Sequence, residues 1–167
     1  MSRAFVKESD QEEAPVIPPR AALPAGVTNY VTPTGLRLLA EEEADLKKQA
    51  AELSHAEDDE QRRALTVING KLALLASRLA SAQVLEPGNQ QEDRVRFGAN
   101  VTVKNRANRK TQSFQIVGVD EADVKLGKIA FVSPMARAVT GLAVSEMAHL
   151  KLGDEVRELE VVAIAYV

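Results

Sequence analysis

The chain has 167 residues, 45% hydrophobic and 27% charged, which allows one domain of ordinary size or two small ones. Aromatics are only 4% and tryptophan is absent, so the core must be aliphatic; with no cysteine, disulfides, thiolate metal sites and cysteine nucleophiles are excluded and a reducing compartment fits. The formal net charge of -3 argues against bulk nucleic-acid binding by a basic surface but leaves a local basic stripe open.

Residues 1 to 28 read as a disordered tail. Glu12-Glu13-Ala14-Pro15-Val16-Ile17-Pro18-Pro19-Arg20 mixes acids with prolines, and Pro24 and Gly26 follow. Such a segment buries too little apolar surface to offset its ordering entropy, and short polyproline stretches are expected. The N-terminus lacks the charged-then-apolar pattern of a secretory signal, and no apolar run approaches the roughly 18 residues of a membrane span. A cytoplasmic protein is expected.

A first helix is predicted to start near Thr32-Pro33-Thr34-Gly35, with Thr32 or Thr34 as cap and Pro33 in the first turn. Leu36, Leu39, Leu46, Ala50 and Leu53 share one face, and Glu41, Glu42, Glu43, Asp45, Lys47 and Lys48 cover much of the rest. The second helix has the stricter seam: Leu65, Ile68, Leu72, Leu75, Leu79 and Ala82 are spaced 3, 4, 3, 4 and 3. Gly70 interrupts it at a cost of about 1 kcal/mol relative to alanine, but the seam continues on both sides. The segment 29–86 therefore reads as an antiparallel coiled-coil hairpin, stopped by Glu86-Pro87-Gly88-Asn89.

From Arg94 to the C-terminus the pattern changes to strands. Val95-Arg96-Phe97 and Val101-Thr102-Val103 flank Gly98, and Asn105 to Arg109 forms a hairpin turn. Strands are expected over Thr111–Val119 and Lys128–Val132, then a short helix from Pro134 to Thr140, capped by Ser133 and ended by Gly141. Met147–Leu152 and Val156–Tyr166 form a last hairpin about Gly153-Asp154. The fold class is α+β, with residues 94–167 a mostly antiparallel sheet carrying one short helix.

Several segments resemble the bacterial GreA/GreB transcript cleavage factors. Asn29-Tyr30-Val31-Thr32-Pro33-Thr34-Gly35 resembles that family's first-helix start, and Leu79-Ala80-Ser81-Ala82-Gln83-Val84-Leu85 its hairpin exit. Val95-Arg96-Phe97-Gly98-Ala99-Asn100-Val101, Gln115-Ile116-Val117-Gly118 and Asp120-Glu121-Ala122-Asp123 follow in family order, and Ser133-Pro134-Met135-Ala136-Arg137-Ala138 is the sharpest match. The resemblance implies an FKBP-like fold for residues 94–167 and bacterial RNA polymerase as partner. It implies a monomeric accessory factor with no membrane, no small-molecule substrate and no cofactor of its own. The hairpin would enter the polymerase secondary channel, where tip carboxylates help hold the polymerase's second Mg²⁺ and the polymerase cleaves backtracked nascent RNA.

The chain departs from that pattern at the tip. The family's Gly-Asp-x-x-Glu-Asn-Ala type motif is missing, and the arms read as one to two turns shorter, roughly 10 Å of reach at 1.5 Å per residue. Glu57, Asp58, Asp59 and Glu60 occupy the tip by position. Two readings of them stand. One is support for a partner's metal, with Asp58 and Asp59 foremost; Mg²⁺ takes only one or two carboxylates beside waters and phosphates, and two cooperating metals lie about 3.5–4 Å apart. The other is a solvated turn, with Asp58 or Asp59 a plain N-cap and its neighbours favouring the helix dipole by about 0.3–1 kcal/mol.

Arg62, Arg63, Lys71 and Arg78 read either as RNA or channel contacts or as solvated partners of first-helix acids such as Glu52. Ser133, Pro134, Met135 and Arg137 read either as a polymerase-docking surface or as a capped helix start with Met135 in the core. A channel-occupying modulator that does not activate cleavage is the second functional reading, and a structural hairpin binding another helical partner the third. His55 and His149 have no second nitrogen ligand at suitable spacing, so no metal site held by this protein alone is expected. Prolyl isomerase activity is not expected either, because the sheet domain has too few aromatics to line such a pocket.

Overall fold

The computed structural model describes residues 13–86 and 93–166. Its first helix, α1 (Pro33–Glu52), starts where the sequence predicts: Thr32 is extended, and its hydroxyl accepts from the Gly35 N–H at 2.9 Å. The second, α2 (Asp59–Ser81), begins at the extended residue Asp58 and carries Asp59 and Glu60 in its first turn and Arg78 in its last. Leu39 and Leu46 of α1 are buried with Ile68 and Leu75 of α2, ringed by Leu36, Ala50, Leu53, Leu72 and Leu79. The predicted seam is thus the hairpin's core. The proposed stop at Pro87-Gly88-Asn89 lies outside the described residues.

The base of the hairpin is closed by a pair of strands that the sequence does not announce. β1 (Asn29–Val31) pairs in parallel with β2 (Ala82–Val84), Asn29 opposite Ala82 and Val31 opposite Val84. Because β1 runs into the start of α1 and α2 runs into β2, the pairing ties together the end of the hairpin opposite its turn. Buried Asn29 donates from Nδ2 to the Arg78 carbonyl at 3.0 Å, an end-of-helix acceptor that also receives the Ser81 hydroxyl at 3.1 Å.

Of the tail expected over 1–28, residues 1–12 lie outside the described residues. Residues 13–28 contain no helix or strand, as their prolines dictate, but lie along the hairpin as a strap. Ile17 sits over Gly70, where an added Cβ would come within 2.1 Å of its Cδ1. Arg63 donates to the Glu13 carbonyl and Arg78 to that of Ala21. The strap has no core of its own and rests on the surface of α2.

The C-terminal part is a five-stranded sheet in the order β5-β4-β3-β7-β6. Its strands are β3 (Asn100–Asn105), β4 (Thr111–Val117), β5 (Lys128–Ala130), β6 (Met147–Leu152) and β7 (Glu155–Ala165). All pairings are antiparallel except β4 with β5, which is parallel because a connection through the short 3-10 turn Val124–Leu126 returns the chain in the same direction. Val101, Val103, Phe114, Ile116, Leu150, Leu159 and Val161 form the core with Ala136 and Val139 of α3 (Pro134–Val139). Val95-Arg96-Phe97, expected as a strand, instead enters as a loop. Buried Val95 donates to the Leu142 carbonyl at 2.8 Å, and Gly98 turns the chain with φ of 87°. The architecture is a mixed α+β one, a helical hairpin joined to a sheet domain.

Candidate functional site: the hairpin tip and its base

The tip is built from the end of α1 and the start of α2. Leu53 donates back to the Gln49 and Ala50 carbonyls, Ser54 Oγ bonds the Ala51 carbonyl at 2.8 Å, and the chain turns through residues 54–57. Asp58 Oδ1 accepts from the Gln61 N–H at 2.7 Å, and Gln61 Oε1 accepts in return from the Glu57 N–H at 3.4 Å. These reciprocal bonds satisfy donors that a helix start leaves open. Arg62 pairs with Asp59 at 3.2 Å and donates to the Glu57 carbonyl at 3.0 Å.

The four acids are all exposed, and the structure divides them. Asp58 is committed to the helix start and Asp59 to Arg62. The carboxylates of Glu57 and Glu60 make no hydrogen bond or ion pair among the described residues. No three histidine, aspartate or glutamate side chains among the described residues are grouped to hold a metal ion, so an ion at this tip would need ligands from elsewhere.

The cations do not form one stripe. Arg62 and Arg63 are at the tip, Arg63 also holding the strap through Glu13. Lys71 is about 12 Å farther along α2 at 1.5 Å per residue, half-buried in a hollow with Arg20, Glu42 and Asp120. On α3, Ser133 Oγ caps the helix by accepting from the Ala136 N–H at 3.3 Å, and Met135 packs against the sheet core. That leaves Pro134 and Arg137 as the exposed residues of the four.

A polar network joins the hairpin to the sheet domain; of its residues only Arg78, as a channel contact, and Thr32, as a helix cap, are given a role by the sequence. Arg20 of the strap binds Glu42 of α1 with two nitrogens, at 2.8 and 3.0 Å, and Asp120 Oδ1 through Nε at 3.0 Å. Arg78 Nε pairs with Asp120 Oδ2 at 3.2 Å, without hydrogen-bond geometry. Thr32 donates to Glu121 Oε2 at 2.5 Å, and Lys128 pairs with Glu121 Oε1 at 3.2 Å. Tyr30 of β1 contacts the rings of Phe97 and Phe131, centroids 5.9 and 5.8 Å away. The signal for these residues was the Gly118 to Asp123 segment itself, a glycine followed by acids just past a buried strand.

Two consequences of this base are testable. A Cβ on Gly118 would lie 2.6 Å from the Tyr30 carbonyl oxygen, a backbone atom that cannot swing away. Gly118→Ala should therefore cost about 1–3 kcal/mol, read from urea unfolding; an unchanged midpoint would show that the sheet domain and hairpin base separate freely. The second concerns Glu42, held below the ordinary glutamate value of 4.5 chiefly by its hydrogen bonds to Arg20, against partial burial and with help from Lys71 of α2. A lowered carboxylate stabilises the folded form above its ordinary pKa, and the contribution is lost as pH falls through the lowered value. NMR signals of residues 15–23 should accordingly stay those of a bound strap at pH 7 and move toward free-chain positions only below about pH 4.5.

The described residues contain no helix long and apolar enough to cross a membrane. Residues 90–166 match the family model described as "Transcription elongation factor, GreA/GreB, C-term". The "Transcription elongation factor GreA" of Pelobacter propionicus is 36% identical over 112 residues, covering 67% of this chain and 71% of that one. The protein of the same name from Trichlorobacter lovleyi is 34% identical over 137 residues, covering 78% of this chain and 87% of that one. A solved structure titled "Prokaryotic transcription elongation factor GreA/GreB from Nitrosomonas europaea" aligns with a TM-score of 0.41 at 17% identity, over 84% of this chain and 99% of that one. The chain belongs to the GreA/GreB family of transcription elongation factors.

Proposed function

We propose that this protein binds RNA polymerase and regulates transcript elongation, its helical hairpin entering the secondary channel so that the tip acids assist polymerase-catalysed cleavage of backtracked RNA. The observation that carries the reading is the acidic tip: four exposed acids end a narrow pair of helices, and two of their carboxylates are uncommitted. Helices of 20 and 23 residues extend about 30 and 35 Å at 1.5 Å per residue, a probe rather than a platform. In this reading the hairpin is a coiled coil and the sheet domain an FKBP-like module that docks at the channel rim through Pro134 and Arg137.

The protein is an accessory factor, a monomer in the cytoplasm, with no cofactor or small-molecule substrate of its own. Glu57 and Glu60 are the acids best placed to face a divalent ion, because coordinating one costs neither the helix cap nor an ion pair. When bound, Mg²⁺ belonging to the polymerase would lower the pKa of the attacking water and neutralise phosphate charge. Asp58 keeps the turn rigid, and Arg62 and Arg63 face the nascent RNA from the first turns of α2.

A second reading, a channel occupant that does not stimulate cleavage, is favoured by the same tip: Asp58 and Asp59 are already engaged, and the family's tip motif is missing. Cleavage of RNA in backtracked complexes, with and without the protein, separates the two. Stoichiometric, salt-sensitive binding to core polymerase separates both from a hairpin that serves another helical partner.

A further inference from the structure

We propose that Arg20 is a positioning residue: it sets the angle at which the helical hairpin leaves the sheet domain, and so where the tip lies. The hairpin and the sheet domain have separate cores, so their relative orientation is decided only by what bridges them. Two of the bridges are at the hairpin base. Thr32 bonds Glu121, and Tyr30 rests on Phe97 and Phe131, both from residues just ahead of α1. These contacts make a pivot, which locates the hairpin but resists rotation weakly, since all its points lie close to one another.

Arg20 acts elsewhere. Its guanidinium joins Asp120 of the sheet domain to Glu42, which lies ten residues past Thr32, about 15 Å up α1 at 1.5 Å per residue. A contact that far from the pivot is a stay. It governs tilt with a lever arm that the base contacts lack. The planar fork suits the task, because it can satisfy two carboxylates in fixed directions, whereas an ammonium would hold them as a point charge. Arg78 steadies the same Asp120 from α2, and the Asp120 side chain is only 5% exposed. Without Arg20, Glu42 and Asp120 would face the junction with their shared cation gone, leaving Arg78 beside one and Lys71 near the other. The strap that delivers Arg20 is itself fixed by Ile17 over Gly70 and by Arg78 on the Ala21 carbonyl. The residue therefore does not wander.

The geometry gives a size to the effect. If loss of the stay lets Glu42 move by about 2 Å, the tip, about twice as far from the pivot, moves by about 4 Å. In its consequence for activity the inference rests on the polymerase-channel reading, but the angle itself can be measured on the free protein. The chain has no cysteine, so spin labels at His55→Cys on the tip and Ala107→Cys on the β3–β4 turn are unambiguous. Pulsed electron paramagnetic resonance should give a narrow distance distribution for the parent. For Arg20→Ala it should shift or broaden by about 4 Å, and for Arg20→Lys by less. Glu42→Gln, which leaves the strap intact, should move in the same direction as Arg20→Ala. An unchanged distribution in both Arg20→Ala and Glu42→Gln overturns the proposal, as does a change accompanied by loss of helical circular dichroism. In polymerase assays Arg20→Ala should lower the maximal effect at saturating protein more than the concentration needed for half of it. A parent protein without any effect on polymerase would overturn the functional reading while leaving the measured angle to stand.

Discussion

Leu75→Ala will destabilise the helical hairpin by about 2–5 kcal/mol, the largest loss expected from any single side chain in it. Leu75 is fully buried, at 0% exposure, at the middle of the seam formed with Leu39, Leu46 and Ile68. Truncation removes the transfer free energy of its side chain and leaves a cavity that two parallel helical surfaces can close only by sliding. The adjacent Leu74 is the control: at 40% exposure it lies beside the strap, and Leu74→Ala should cost no more than about 1 kcal/mol. Since native domains are stable by only about 5–15 kcal/mol, the first variant should lose a large share of its margin and the second little. Urea unfolding followed by circular dichroism checks both. Equal midpoints would mean that the hairpin's stability resides in its base and strap instead of in the seam.

What could be read from the sequence follows from how local each signal is. The seam, the Thr32 and Ser133 caps and the β6–β7 hairpin are encoded within a few residues of themselves, by spacing, by a hydroxyl ahead of a proline, or by Gly153-Asp154. The β1–β2 pairing is not legible because its two partners are three residues long, too short for a period to show, and some fifty apart. β5 was placed as a strand, but nothing in Lys128–Ala130 tells that it runs parallel to β4. The contacts of the strap escape a composition argument for a related reason. A composition argument asks whether a segment can bury itself, and Ile17 and Arg20 are held by Gly70, Glu42 and Asp120, all far along the chain. At the tip, position and charge were plain, while the division of labour was not: that Asp58 accepts from Gln61 and Asp59 pairs with Arg62 depends on rotamers that a run of four acids does not specify.

That division makes the sharpest functional prediction. Glu57→Gln/Glu60→Gln should reduce stimulated RNA cleavage by about 10–100-fold, the range expected when groups supporting a metal's coordination are lost, while costing at most about 1 kcal/mol of stability through the helix dipole and leaving the affinity for core polymerase unchanged. Both side chains are exposed and uncommitted, so amides in their place break no contact. Asp58 has to be tested differently, because its charge and its cap are confounded. Asp58→Ala removes both and should cost about 1 kcal/mol of stability, whereas Asp58→Ser keeps an acceptor for the Gln61 N–H and should cost little. If Asp58→Ser retains cleavage and Asp58→Ala loses it only in proportion to stability, Asp58 serves the helix and not the metal. If instead Asp58→Ser abolishes cleavage at parental stability, the cap must open on docking and the assignment to Glu57 and Glu60 is wrong. A parent protein that binds polymerase stoichiometrically yet leaves backtracked RNA uncut, with the double glutamine variant indistinguishable from it, decides for the channel occupant. The acids at the tip would then serve only to start α2 and keep the turn in water.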